Sequence, residues 1–207
     1  MRSPKTDRAA EEFGRARLSR SFFMRDFLYR EISNVHGIPN LPGDPGLAIA
    51  AGSRFCQDLL QATFGRLTVR SAYRTRAMNA LGNARHYNCA SNARNYARHI
   101  WDRRDSRGSM GAMACIVIPW FVDRLAEGTR WRAMAWWIHD HLPYSQLQFF
   151  PKLGAFNIGA GAPQARNLQL HPSTRLLNPT WHAEPFRRPR GPLSVCPQFC
   201  RIIPTRT

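Results

Sequence analysis

Apolar and polar positions recur with two different periods along this chain, and each change of period marks an element. Phe22, Phe23, Phe27, Leu28, Ile32 and Val35 stand at helical spacing, with Ser19 or Ser21 available as a cap and Gly37 and Pro39 to end the run. The proline- and glycine-rich residues 39–45 form a loop by composition. A second helix is predicted over about residues 45–63, with Leu47, Ala50, Ala51, Phe55, Leu59 and Leu60 facing inward and Gly65 closing it. Residues 67–74 alternate as a half-buried strand does, and residues 79–91, rich in Asn, Gly and small side chains, predict an ordered loop. Ala114-Cys115-Ile116-Val117-Ile118 is a continuous apolar run ended by Pro119, the pattern of a fully buried strand. Helical faces follow at Trp120, Phe121 and Leu125, then at Trp131, Met134, Ala135, Trp137, Ile138 and Leu142, broken at Gly128 and finished before Pro143. Residues 145–150 alternate again. Together these elements predict an α+β domain: a small, mostly antiparallel sheet with N-terminal helices and one long helix packed on it.

The two ends read differently. Residues 1–18 are charged and poor in large apolar side chains, which predicts a disordered segment ahead of a domain spanning 19–159. From Ala160 onward, eight of the fifteen prolines and seven Arg stand against the single acid Glu184. So abrupt a break predicts an irregular tail over 160–207. A shift of one nucleotide in the reading frame and a genuine proline-rich tail both account for it.

Composition narrows the function. The content of six Trp and twelve Phe suffices for one sizeable core. The formal charge of +17 invites nucleic acid as a partner, yet Lys5 and Lys152 are the only lysines among thirty basic residues, and no basic stripe interleaves with aromatics. An arginine bias of this kind follows from codon composition as readily as from phosphate recognition, and the reading is against nucleic acid. No apolar run reaches about eighteen residues and no signal-type segment stands at the N-terminus, which predicts a cytoplasmic protein with no membrane partner. Five cysteines at irregular spacing fit a reducing compartment, and Cys196 with Cys200 lacks the second pair that a structural zinc site needs.

The stretch with the most chemistry is 99–120, where a loop carrying His99, Asp102 and Asp105 runs directly into the buried strand led by Cys115. Such a loop, pinned by a buried strand, is a favoured place for chemistry, since the scaffold holds side chains that the loop offers to solvent. Cys115 is equally a small core residue, and Asp102-Arg103-Arg104-Asp105 is equally a surface ion-pair group. A second cluster, Ser71-Ala72-Tyr73-Arg74 followed by Asn79, places a guanidinium at a strand end, where its planar fork matches a carboxylate.

These residues, in this order, resemble the zinc D-alanyl-D-alanine carboxypeptidase fold shared with the hedgehog signalling domain, over about residues 22–159. Ser71, Tyr73, Arg74 and Asn79 are similar to the family's Ser-Gly-Tyr-Arg strand and its downstream Asn. The resemblance implies that Arg74 holds the carboxylate of a peptide substrate of the peptidoglycan type. The segment from His99 to Cys115 looks like the family's Ser-x-His-x-x-Gly-x-Ala-x-Asp with an insertion, which implies zinc as cofactor, held by His99 and by Cys115, with Asp102 and Asp105 as alternative carboxylate ligands. After the long helix the chain departs from the pattern: Phe149-Phe150-Pro151-Lys152 holds no carboxylate, and Phe156-Asn157-Ile158-Gly159 runs into Ala160 with no Trp-His. With no general base for a metal-bound water and no last ligand, the expectation is a degenerate or inactive peptidase. The alternative is a non-catalytic peptide-binding module. His139 and His141, two apart on one helix, point to different faces and are expected only to favour the helix C-terminus.

Overall fold

A strand joins a sheet when its alternate side chains find a common face to bury, and five segments of this chain do so. The computed structural model describes residues 4–28, 31–55, 57–161 and 167–170. Strands β1 (Thr68–Ser71), β2 (Gly111–Val117), β3 (Gln146–Phe150), β4 (Ala155–Gly161) and β5 (Asn167–Leu170) form one sheet in the order β1-β2-β4-β3-β5. The first four are antiparallel to their neighbours, and β5 lies parallel to β3. This is the mostly antiparallel α+β fold that the pattern predicts, and the three strands foreseen all lie in it. The hairpin strand β4 inserts between β2 and β3 to complete it.

One face of the sheet makes the core. Ala112, Ala114 and Ile116 of β2, Leu147 and Phe149 of β3, and Phe156, Ile158 and Ala160 of β4 are buried together. Eight helices accompany the sheet among the described residues: α1 (Pro4–Gly14), α2 (Glu31–His36), α3 (Pro45–Gly52), α4 (Gln57–Phe64), α5 (Arg76–Ala84), α6 (Asn92–Asn95), α7 (Pro119–Ala126) and α8 (Trp131–His141). The long helix α8 buries Met134, Ala135 and Ile138, and α3 buries Ala48 and Ala51. Helix α3 starts where it does because Asp44 accepts the Leu47 N–H at 2.9 Å and Pro45 fits the first turn. Trp101, fully buried, sits among the rings of Phe55 (5.4 Å), Phe27 (5.7 Å) and Tyr73 (5.9 Å), and its indole N–H donates to the Met113 carbonyl at 3.2 Å.

Departures from the sequence pattern have local causes. The helix expected from Ser19 is instead a bridge between Arg17 and Phe23, a 3-10 turn at Met24–Phe27 and then α2. The tight turn lets both Phe22 and Phe27 reach the core, their rings 5.9 Å apart. The second helix is two, α3 and α4, because the chain leaves the helix at Ser53 and brings Phe55 against Trp101. The strand over 67–74 ends at Ser71 after a bulge; beyond it the Tyr73 N–H goes to Phe27 O and the Arg74 N–H to His99 O. The loop predicted at 79–91 begins as helix α5, capped by Thr75, whose hydroxyl accepts from Met78 N at 3.2 Å.

Both ends need correction. The segment 1–18 read as disordered contains α1, whose Phe13 is buried with its ring 6.4 Å from Tyr73. One anchored aromatic outweighs the polar remainder of that helix, which Arg8–Glu12 and Arg15–Glu11 pairs line at the surface. The tail read as irregular from 160 starts inside β4, and its residues 167–170 are β5. The rest of that expectation, over 171–207, lies outside the described residues. No helix among the described residues is long and apolar enough to cross a membrane.

The turn before β2 approaches the sheet closely at Gly111, where an added Cβ would stand 2.5 Å from Ala97 O and 2.9 Å from Ala160 O, both backbone atoms that cannot swing aside. Gly111→Ala is therefore expected to destabilise the fold by about 1–3 kcal/mol, read as a lowered midpoint in chemical denaturation.

Candidate functional site

The site grows from the end of β1. Beyond Ser71 the chain no longer pairs with β2, and the backbone N–H of Arg74 donates to His99 O at 2.8 Å. That bond ties the two stretches that the sequence singles out into one structure. The imidazole of His99, buried, shares a hydrogen bond of 2.9 Å between Nδ1 and the carbonyl of Ala72. A carbonyl only accepts, so Nδ1 carries a proton.

The chain reaches His99 through strain. Ala97 holds φ at +54°, a conformation that costs a residue with a Cβ about 1–2 kcal/mol. The Ala97 N–H donates to Arg103 O at 2.9 Å, and the Met113 N–H of β2 donates to Arg98 O at 2.9 Å, so the turn is fastened on both sides.

Arg74 is only 5% exposed. Its Nη1 donates to Asn79 Oδ1 at 3.1 Å and to Cys89 Sγ at 2.9 Å. Asn79, fully buried on α5, is the hub: its Oδ1 also accepts from Asn95 Nδ2 at 3.0 Å, while its own Nδ2 donates to Ala90 O at 2.9 Å and to Asn92 Oδ1 at 2.8 Å. Asn95 Nδ2 donates to the same Ala90 carbonyl at 3.0 Å. The sequence pointed to Arg74 and Asn79 as a pair; it missed Asn92, Asn95 and Cys89, although the density of Asn between 79 and 95 was the signal available.

The remaining candidates divide. Ser71 stands directly opposite Cys115, and Cys115 opposite Asn157, so Cys115 belongs to the sheet face away from the Ala114 and Ile116 core. It is a buried thiol. Tyr73, named as a substrate-binding candidate, is a core residue: its ring packs between Phe13 and Trp101. Burial first, and the nearby Asp102 carboxylate second, push ionisation of its phenol well above the usual range. Asp102, named as a metal ligand, is likewise turned inward. Its Oδ2 accepts the Gly43 N–H at 2.8 Å and pins the loop that precedes α3, while its Oδ1 and the Tyr73 hydroxyl lie buried without the geometry of a formed hydrogen bond.

The zinc ligand set implied by the resemblance is consequently not assembled. Among the described residues no three of His, Cys, Asp and Glu gather as a metal site would require. His139 and His141 do lie on different faces of α8. Nδ1 of His139 is 2.7 Å from the Tyr144 hydroxyl, and Nδ1 of His141 is 2.8 Å from Trp137 O. A pocket lined by Arg54, Pro143, Tyr144, Ser145, Ala160 and Gly161 contains none of the residues the sequence singled out.

Three outcomes are expected. Asn79→Ala strands several buried donors and acceptors at once and should cost about 3 kcal/mol, measured by denaturant unfolding. Ala97→Gly relieves the left-handed turn and should stabilise by about 1 kcal/mol in the same experiment. The third concerns pH. The unfolded chain releases the Tyr73 proton near the ordinary value of 10.0 and the folded chain only well above it, so this stabilising contribution is complete below pH 10.0 and is lost as pH rises beyond it. Absorbance titration should accordingly show at least one of the five tyrosines ionising only as the protein unfolds.

No family model, no curated protein and no solved structure matches the chain.

Proposed function

We propose that this chain binds peptides of the cell-wall type by their free C-terminal carboxylate, with Arg74 as the carboxylate-holding group, and that it does not hydrolyse them efficiently. The observation that carries this reading is the placement of Arg74. Its guanidinium is buried, oriented by Asn79 and Cys89 through one nitrogen, and joined through its backbone to His99. A charged donor fixed in a low-dielectric setting binds a carboxylate more strongly than one on a flexible, solvated stem.

The resemblance to D-alanyl-D-alanine carboxypeptidases supplies the ligand class, and the residues present argue against the hydrolytic step. His99 has its Nδ1 held by a backbone carbonyl, as a metal-ligating histidine commonly does. Asp102 is committed to Gly43, and no carboxylate stands at 149–152 to take a proton from an attacking water. The reading is therefore of a peptide-binding module on a peptidase-like scaffold, with zinc retained below one ion per chain.

Metal analysis of the purified protein together with calorimetric titration of a tetrapeptide ending in D-alanyl-D-alanine tests both halves. The expected result is substoichiometric zinc, measurable peptide binding, and a loss of at least tenfold in affinity for Arg74→Lys, which keeps the charge and removes the planar fork. One zinc per chain with release of D-alanine would overturn the non-catalytic reading. Unchanged affinity in Arg74→Lys, its fold verified by thermal melting, would overturn the role of Arg74.

A further inference from the structure

Arg74 is 5% exposed, so a ligand's carboxylate reaches it only when part of its cover moves. The two groups bonded to its Nη1 differ in how firmly they are held. Asn79 belongs to α5, and its own amide is fixed by Ala90 O, Asn92 and Asn95. Cys89, a free thiol, belongs to the segment that follows α5, where residues 85–88 and Ala90 are exposed and Cys89 alone is buried. One layer of chain therefore lies between that side of Nη1 and solvent. The Cys89 sulfur, 2.9 Å from Nη1, seats in a notch where α5 carries a glycine: a Cβ added at Gly82 would stand 2.6 Å from it. The segment has two fixed points, the Tyr87 N–H bonded to Gly82 O at 2.8 Å and the Ala90 carbonyl that accepts from Asn79 and Asn95. Between them, Asn88 holds φ at +54°, a left-handed conformation that a swing of the segment can relax, and the Cys89 carbonyl accepts from Asn83 Nδ2 at 2.7 Å.

We propose that Asn88 and Cys89 form a latch over Arg74, in which the Cys89 thiol holds the place of the ligand's carboxylate on Nη1 and swings outward when a peptide C-terminus binds. This rests on the reading of Arg74 as the carboxylate-holding group. The exchange favours the ligand, because a thiol is a weak acceptor while a carboxylate makes a charge-assisted bond about twice as strong as a neutral one. Asn79 stays bonded to the guanidinium throughout and keeps it oriented. Opening breaks the bond from Asn83 to Cys89 O, and this cost lowers the apparent affinity by the fraction of chains in which the latch stands open. In return the buried cation keeps an acceptor when no ligand is present. The latch also sharpens selection, since a terminal group that accepts no better than a thiol has nothing to gain by displacing it.

The test combines N-ethylmaleimide labelling of Cys89 in the full chain, followed by mass spectrometry with and without a tetrapeptide ending in D-alanyl-D-alanine, with calorimetry of that tetrapeptide on Cys89→Ala. Bound peptide is expected to speed labelling of Cys89 about tenfold, because the displaced thiol faces solvent. Cys89→Ala, its fold verified by thermal melting, is expected to bind the tetrapeptide about fivefold more tightly, because no thiol has to be displaced. A thiol that only positions the guanidinium gives the opposite pair of results: the peptide shields the sulfur and the substitution weakens binding. Labelling that bound peptide leaves unchanged or slows, or an affinity that Cys89→Ala leaves unchanged or lowers, overturns the latch while leaving Arg74 as the carboxylate holder. Should Cys89→Ala fail to fold, labelling of the unaltered chain decides alone. Binding by Cys89→Ala and not by the unaltered chain supports a latch that stays shut. Failure of both chains to bind overturns the carboxylate reading and this inference with it.

Discussion

Keeping a guanidinium nearly out of water is the constraint around which this part of the molecule is built. A buried cation is tolerated only where acceptors surround it, and a carboxamide held by its own partners is an acceptor that stays put. Arg74 meets Asn79, and Asn79 is fixed in turn by Asn92, Asn95 and the Ala90 carbonyl. The helix α5 exists to deliver Asn79 from below and the short helix α6 to deliver Asn92 and Asn95 from beside it. The chain that links α6 to β2 then passes through the strained Ala97 turn, which brings His99 under the end of β1. Strain there is affordable because the bonds from Arg74 N to His99 O and from Met113 N to Arg98 O determine the turn from both sides.

The two faces of the sheet differ in composition. Its core face, Ala112, Ala114, Ile116, Phe156, Ile158, Leu147 and Phe149, closes against α3 and α8 with the ring cluster around Trp101. The opposite face substitutes Cys115, Asn157, Gln146 and Gln148 at the alternate positions. Apolar and more polar positions thereby alternate between the two sides of the same strands, and a change of one residue in register would exchange them.

The parts of the fold legible in the sequence were those set by local periodicity. The β2 run ended by Pro119, the alternation before β3 and the face of α8 all depend on near neighbours, and the pairing of Arg74 with Asn79 lies within five residues. What escaped depends on tertiary contacts. Phe55 breaks a helix that its own spacing supports because Trp101 offers it a better surface, and Phe13 orders a polar segment because Tyr73 lies above it. Tyr73 and Asp102 look like site residues by motif, yet their side chains face inward, one filling the core and the other holding the loop at Gly43. A motif fixes which residues are near one another along the chain; the sense of each side chain is set by the packing around it.

The central claim is that a terminal carboxylate is the feature recognised at Arg74. The most direct measurement is a pair of titrations of the full chain with one tetrapeptide in two forms, ending in a free carboxylate or in a C-terminal amide, at equal ionic strength. The account predicts that the carboxylate form binds and that amidation, which removes the charge and one acceptor while leaving every other contact intact, weakens binding at least a hundredfold. Equal affinity for the two forms would contradict it.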